Sequence, residues 1–170
     1  MSVEEHKAKA RATLEIAIIT ISDTRTFETD RGGSLIEKLT LANGHRIADR
    51  RIIRDDVELI RATVEELLPT EVDAILLTGG TGLGPRDVTF EALAPLLEQT
   101  IPGFGELFRM LSYAEIGAAS MLSRAFAGVC KHTLLFALPG SPAAVQLAME
   151  KLVLPELPHL VSHVRPSKNA

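Results

Sequence analysis

The sequence predicts an α/β fold: a single-domain, three-layer α/β/α sandwich in which helices cover both faces of a mostly parallel sheet. Three observations predict it. Residues 16–21 are apolar or β-branched throughout and residues 74–77 are wholly apolar, the pattern of strands buried on both faces of a parallel sheet. Segments with helical periodicity alternate with these runs, which implies right-handed crossovers. The strands also lead into polar or glycine-rich segments, and open α/β sheets bind ligands outside the carboxyl ends of their strands.

The elements follow in chain order. Residues 1–13 are polar and read as an arm, 14–164 as the domain, and 165–170 as a tail. The run 16–21 is a central strand ending at Ser22-Asp23, and 24–33 form a polar loop at its carboxyl end. Ser34 is the expected cap of the first helix, with Leu35, Ile36, Leu39 and Ala42 at helical spacing and Asn43-Gly44 as the stop. Residues 47–54 carry a second strand, whose charges place it near the sheet edge. Asp55-Asp56 opens a helix with Val57, Ile60, Val64, Leu67 and Leu68 on one face, ended by Pro69. After the strand 74–77 and its glycine loop, a helix is expected to start near Thr89. Pro95 splits the next segment into two short helical pieces, and residues 102–105 form a bend before a helix over 106–112. Residues 125–130 and 133–138 read as two strands joined tightly at Lys131-His132. The turn Pro139-Gly140-Ser141-Pro142 then starts another helix, with Ser141 as its cap and Pro142 at the first helical position. Val145, Leu147, Ala148, Leu152 and Val153 form its apolar set, and Pro155 and Pro158 bracket a last turn or two.

At 170 residues the chain is one domain's worth, long enough to bury roughly 70% of its unfolded surface. The net charge of −4 argues against nucleic-acid binding driven by electrostatics, and a 4% aromatic share leaves little for base stacking. No apolar run approaches the length of a membrane span, and the start MSVEEHKAKA lacks the order of a signal peptide. Cys130 is the only cysteine, which rules out an intrachain disulfide and fits a cytoplasmic protein. Its setting in an apolar strand reads as an inert buried thiol. His159 and His163 share a helix face, but no third ligand lies near them in sequence, so a zinc site is not expected. Apolar helix faces exceed what one sheet needs and point to a homo-oligomer.

The candidate site centres on Thr78-Gly79-Gly80-Thr81-Gly82-Leu83-Gly84, followed by Pro85-Arg86-Asp87. Glycines there permit positive φ or close approach of a ligand, and a strand-to-helix turn offers N–H groups to an anion. The loop is neither common phosphate fingerprint. Lys and Ser/Thr do not follow Gly84, and Pro85 stands where a dinucleotide motif would need a third glycine. Asp55, with Glu58 three residues on, also fits a capping box, and Asp87 fits a cap for the helix that follows. Ser22-Asp23 suits a turn. Phe104 and Phe108 read as core or subunit contact.

Taken in order, Ile21-Ser22-Asp23-Thr24, the pair Asp55-Asp56, TGGTG with RDVT, PGFGELFR at 102–109, LSRA at 122–125 and PGSP at 139–142 resemble the MoaB/MogA family of molybdenum cofactor biosynthesis proteins, and MoaB more than MogA. The resemblance covers roughly residues 14–164 and implies a MogA-like, Rossmann-like topology, trimer-based oligomers (trimer or hexamer) and molybdopterin binding. For active members it implies Mg²⁺- and ATP-dependent adenylylation of molybdopterin with release of pyrophosphate. It also implies that Asp55 and Asp87 are the key carboxylates and Mg²⁺ ligands. Thr78, Gly79, Gly80, Thr81 and Gly82 correspond to the nucleotide cradle, and Ser22, Asp23, Ser123, Gly140 and Ser141 to segments lining the same cleft. Arg86 or Arg124 suits neutralising phosphate charge. The chain departs from the family pattern at Gly32, where serine is usual, and at Phe90, where proline often stands.

Three function classes stand beside one another: a molybdopterin adenylyltransferase, a non-catalytic molybdopterin-binding or scaffold protein that meets other proteins of the same pathway, and a nucleotide-cleaving enzyme of the competence-damage-inducible type. The paired carboxylates favour the first over the second, since a pure binder needs no metal. PGFGELFR and LSRA favour the first two over the third.

Overall fold

The strands of the computed structural model, which describes residues 13–165, lie in one six-stranded sheet of order β2-β1-β3-β6-β5-β4. They are β1 (Glu15–Ile21), β2 (Arg46–Ile53), β3 (Ala74–Thr78), β4 (Gln99–Thr100), β5 (Phe126–Cys130) and β6 (Thr133–Leu138). The helices are α1 (Arg31–Ala42), α2 (Val57–Leu67), α3 (Thr89–Leu93), α4 (Pro102–Ile116), α5 (Pro142–Ala148) and α6 (Leu154–Val164). Apart from Thr13 and Arg165, the arm and tail expected from the sequence lie outside the described residues. Arg165 itself is docked: its guanidinium donates to Asp73 Oδ1 at 3.1 Å and to the Val72 carbonyl at 2.7 Å.

The pairs β1–β2, β1–β3 and β3–β6 are parallel, and the β6–β5 and β5–β4 pairs are antiparallel. Apolar residues alternate between two cores, which is why the central strands read as continuous apolar runs. Ile16 and Ile18 of β1, Leu76 of β3 and Phe136 of β6 face a layer that includes Ile36 of α1, Phe104 and Phe108 of α4 and Leu157 of α6. Ile19, Ile75, Leu77 and Leu135 face the other layer, with Ile60 and Val64 of α2 and Leu93 of α3. Phe104 meets Phe136 edge-on at 5.3 Å, so both phenylalanines of PGFGELFR are core residues. Cys130 is buried, and burial pushes its thiol pKa up. Among the described residues no helix is long and apolar enough to cross a membrane.

Four elements differ from the sequence reading. Helix α1 starts at Arg31, not after Ser34, and its cap is Asp30, whose Oδ1 accepts the Gly33 N–H at 2.9 Å. Residues 102–105 are the first turn of α4 rather than a bend, because Pro102 sits at the helix start where its missing N–H costs nothing. The two-residue β4 was not expected. Beyond α5 the chain stays helical to Val164 through a π-helical segment, Met149–Val153. That wider turn precedes Pro155, whose ring would crowd the carbonyl four residues back in a regular α-helix.

The start of α1 is locked from below. Asp30 is buried, and its Oδ2 accepts the Thr20 hydroxyl at 2.7 Å and an Arg50 N–H at 3.3 Å. A Cβ on Gly33 would lie 2.2 Å from Asp30 Oδ2 and 2.5 Å from Thr20 Oγ1. Gly33→Ala should therefore cost about 1–3 kcal/mol by overpacking. Thermal denaturation should show a melting temperature lower by several degrees. An unchanged value would mean that the carboxylate does not occupy this space.

Candidate functional site

The chain leaves β1 for β2 on one side and returns to β3 on the other, so the sheet's topological switch point lies between β1 and β3. Doubly wound sheets open a crevice there, outside the carboxyl ends. A cleft of about 640 Å³ occupies that place. Its floor is Thr20 to Ser22 at the end of β1, Thr78-Gly79 at the end of β3 and Gly140-Ser141 after β6, and its wall is the first turn of α1 with Arg25.

Two glycines make the crevice possible. Gly79 has φ +104° and Gly80 φ +65°, and a Cβ at Gly79 would stand 2.3 Å from the Ile21 carbonyl oxygen. Thr89 holds both: its hydroxyl donates to the Gly79 carbonyl at 2.9 Å and its N–H to the Gly80 carbonyl at 3.1 Å. Thr78 Oγ1 donates to the Pro139 carbonyl at 2.9 Å and ties β3 to the exit of β6. Gly82 and Gly84 serve differently from the expected left-handed turn, since neither has positive φ. A Cβ on either would lie 2.8 Å from Asp87 Oδ2, which accepts the Gly84 N–H at 2.7 Å. These two glycines seat the carboxylate.

Neither key aspartate is a helix cap. Asp56, not Asp55, caps α2 by accepting the Leu59 N–H at 2.8 Å. Val88, with no side-chain bond, occupies the cap position of α3. Both carboxylates therefore stand in loops beside the glycine turn. Asp55 Oδ1 lies 3.2 Å from the place a Gly80 Cβ would take. Asp23 accepts the Asp55 N–H at 3.3 Å and three bonds from Arg86, at 3.0, 2.9 and 2.8 Å. The Arg86 hydrogen bond lowers the pKa of Asp23. Burial, reinforced by the charges of Asp23 and Asp87, raises that of Asp55.

The sequence-predicted residues thus fall into two adjoining groups and a support. Ser22, Thr78, Gly79, Gly140 and Ser141 line the cleft. Ser22 Oγ also accepts the Thr24 and Arg25 N–H groups, and Ser141 Oγ caps α5 by accepting the Ala144 N–H. Asp23, Asp55, Gly80, Gly82, Arg86 and Asp87 cluster on the other side of the Gly79-Gly80 turn. Asp23 also borders a smaller hollow of about 330 Å³, which shares Ser22, Arg25 and Glu28 with the cleft. Ser123 and Arg124 stand behind the loop. The Arg124 guanidinium donates to the Gly82 carbonyl at 2.8 Å and the Asp87 carbonyl at 2.7 Å and pairs with Glu91, while its N–H reaches the Thr81 carbonyl. It shapes the loop and has no side in the cleft. Phe90 lies 5.8 Å under that guanidinium and packs edge-on against Phe126 at 5.1 Å, which accounts for the aromatic residue here. Gly32 leaves the cleft wall bare: a Cβ would press on Thr78 Oγ1 and the Gly140 carbonyl, each at 3.3 Å.

Sequence reasoning missed Asp30, Thr20, Arg25, Arg31 and Thr89. Asp30 carried a signal, since it is a good capping residue three positions before a glycine. Among the described residues no group of three or more His, Cys, Asp or Glu side chains is placed to hold a metal. Asp55 and Asp87 would instead be two hard oxygen donors of the kind Mg²⁺ takes together with phosphate and water. Burial is the main reason the Asp55 pKa is raised, with the charges of Asp23 and Asp87 adding to it and that of Arg86 opposing it.

Residues 17–159 match the model of a family described as a probable molybdopterin binding domain. Molybdenum cofactor biosynthesis protein B of Bacillus subtilis (strain 168) is 49% identical over 99% of this chain and 100% of its own. A crystal structure of a molybdenum cofactor biosynthesis protein B superposes with a TM-score of 0.88 at 47% identity, over 92% of this chain and 98% of that one. The tungsten cofactor synthesizing protein MoaB from Pyrococcus furiosus gives a TM-score of 0.83 at 32% identity, over 92% of this chain and 99% of its own.

The charge at Asp55 has a measurable sign. A carboxyl pKa raised by folding means the folded state holds the proton more tightly, so stability falls as pH rises through the window above the ordinary value of 3.8. Asp55→Asn removes that dependence. The melting temperature of the variant should exceed that of the wild type at neutral pH, and the gap should close as pH falls to 3.8 and below. A variant that is less stable at neutral pH would show that Asp55 stabilises the fold.

Proposed function

The chain belongs to the MoaB family, and we propose that it serves molybdenum cofactor biosynthesis by binding molybdopterin and adenylylating it with MgATP, with release of pyrophosphate. The observation that supports this reading is the Gly79-Gly80 turn, which sets an anion-receptive cleft directly against a cluster of three carboxylates. In the reaction, a terminal phosphate oxygen of molybdopterin attacks the α-phosphate of ATP and pyrophosphate leaves. No side-chain nucleophile is required, so the protein's work is positioning and charge compensation.

Each part of the site has a role in that work. The N-terminal turn of α1, with Arg25 and Arg31 beside it, suits phosphate groups in the cleft. Asp30 holds that turn in place through Thr20 and Arg50. Asp55 and Asp87 are the residues that would hold Mg²⁺, and Gly82, Gly84 and Arg124 fix the loop that carries Asp87. Bound there, Mg²⁺ supplies charge neutralisation on the triphosphate. Arg86 is paired with Asp23, mostly exposed, and within reach of the same charges. The non-catalytic binder is the competing reading, because the cleft needs none of these carboxylates. The cytoplasmic setting is proposed on the lone buried Cys130.

Asp87→Asn separates the two readings. Asparagine keeps the shape and an oxygen for the Gly84 N–H but removes the charge. Stability should change little, whereas loss of a metal-organising carboxylate should cost on the order of 100-fold or more in rate. The measurement is pyrophosphate release, or appearance of adenylylated pterin, from MgATP and molybdopterin, with wild type and variant side by side. Turnover by both proteins would remove Asp87 from the mechanism. Tight molybdopterin binding by a wild type that never turns over would make the chain a binder.

We further propose a trimer-based homo-oligomer. Leu107, Met110, Tyr113 and Ile116 recur every third residue of α4, and all four are exposed, as are Met121 and Leu122 just beyond. An apolar stripe of this kind marks a contact surface. Light scattering on a sizing column should give at least three times 18.4 kDa. A monomer at micromolar concentration would refute it.

A further inference from the structure

The hollow of about 330 Å³ shares Ser22, Arg25 and Glu28 with the cleft, so the two spaces meet along the loop that follows β1. Its apolar surface comes from Ile52 and Ile53 at the end of β2 and from Phe27, whose ring stays 55% exposed. The Arg50 guanidinium lies 5.3 Å from the centre of that ring. Arg50 is itself fixed, since it donates to Ser34 Oγ at 2.9 Å and pairs with Asp30 and Glu37. A guanidinium held over one face of a phenyl ring backs it as a stacking platform and leaves the other face for a flat ligand. Three carboxylates border the two spaces. Asp23 is engaged by Arg86, and Asp30 by Arg50, Thr20 and the Gly33 N–H. Glu28 differs: a hydrogen bond from Thr26 keeps its carboxyl below the usual range, and among the described residues no arginine or lysine pairs with it. It presents an ionised, acceptor-only group where cleft and hollow meet.

On the reading that the chain binds molybdopterin, we propose that the hollow seats its pterin ring, with Phe27 stacked on the ring face and Glu28 accepting from its amino edge, while the phosphate lies in the cleft. A pterin carries a ring amide N–H beside an exocyclic amine, two donors that point the same way. A carboxylate accepts both with its two oxygens, as a charge-assisted bidentate pair. Adenine offers an amine beside a ring nitrogen that itself accepts, so one carboxylate oxygen would meet a lone pair. The hollow therefore suits the pterin and not the base of ATP. Arg25, which lines both spaces, joins the two halves of the site. That leaves Asp55 and Asp87, across the Gly79-Gly80 turn, to the triphosphate. Phe27 and Glu28 thus become the residues that select the ring, and Arg50 the residue that positions Phe27.

The test is anaerobic calorimetric titration of the full chain with molybdopterin, and in parallel with MgATP, for wild type, Glu28→Gln and Phe27→Leu. Glutamine turns one acceptor into a donor and should weaken molybdopterin binding about tenfold or more. Loss of the aromatic face in Phe27→Leu should weaken it about fivefold or more, and Phe27→Tyr should recover that loss. The affinity for MgATP should stay as it is in wild type. Phe27 and Glu28 are both exposed, so the melting temperatures should not move. Wild-type binding of molybdopterin by both Glu28→Gln and Phe27→Leu overturns the assignment of the hollow and leaves the proposed function standing. A loss confined to MgATP gives the hollow to adenine and overturns the assignment as well. A wild type that binds no molybdopterin overturns the proposed function, and this assignment with it.

Discussion

The passage of Gly79 beneath the carbonyl of Ile21 is the contact on which the rest of this molecule depends. No side chain fits there, with a Cβ position only 2.3 Å from that oxygen, and φ of +104° is one that glycine alone adopts at little cost. Because the chain turns aside at this point, the Gly79 N–H reaches the Leu138 carbonyl while its own carbonyl receives the Thr89 hydroxyl. One dipeptide thereby ties together the ends of β1, β3 and β6 and sets where α3 begins. It also forms the rim between the cleft and the carboxylates. A fold that placed its third strand without this turn would keep its two cores and lose its site.

Much of the architecture was legible because burial on both faces leaves a plain trace in sequence. The runs 16–21, 74–77 and 133–138 became β1, β3 and β6, and the charges of 47–54 marked β2 as an edge strand. The start of α1 was not legible, for a tertiary reason. Two glycines in a polar stretch read as loop by propensity, yet Gly33 sits in a helix because the Asp30–Thr20 hydrogen bond fills the space a side chain would need. Helix α4 hid its start in the same way, behind Pro102, Gly103 and Gly105. A Cβ on Gly105 would meet the Ala125 carbonyl at 2.8 Å, a contact fixed by packing that no local pattern announces.

Within the site, composition and spacing left Asp55 and Asp87 ambiguous between cap and ligand; the family resemblance, not periodicity, singled them out. The geometry removes the capping role from both: Asp56 takes it on α2, and α3 has no side-chain cap. Arg124 shows the opposite limit. An arginine after a serine near a cleft reads as a phosphate contact, but its guanidinium is spent on two loop carbonyls and Glu91. Where an arginine donates depends on which carbonyls the loop leaves open, and that is decided by the glycines at 82 and 84 as they make room for Asp87.

The electrostatics of the cluster follow from the same crowding. Asp23, Asp55 and Asp87 stand around the turn, with the Arg86 guanidinium paired to Asp23 and the charge of Arg54 also acting on Asp23. Folding does not gain from this arrangement. Burial and the neighbouring carboxylates push Asp55 towards its neutral form, and an exposed Arg86–Asp23 pair is worth only about 0–1 kcal/mol. A pair that weak adds little to the fold. The cluster therefore contributes little to the stability of the fold, and a shifted carboxyl group among other charges beside a glycine turn is the pattern seen at functional sites.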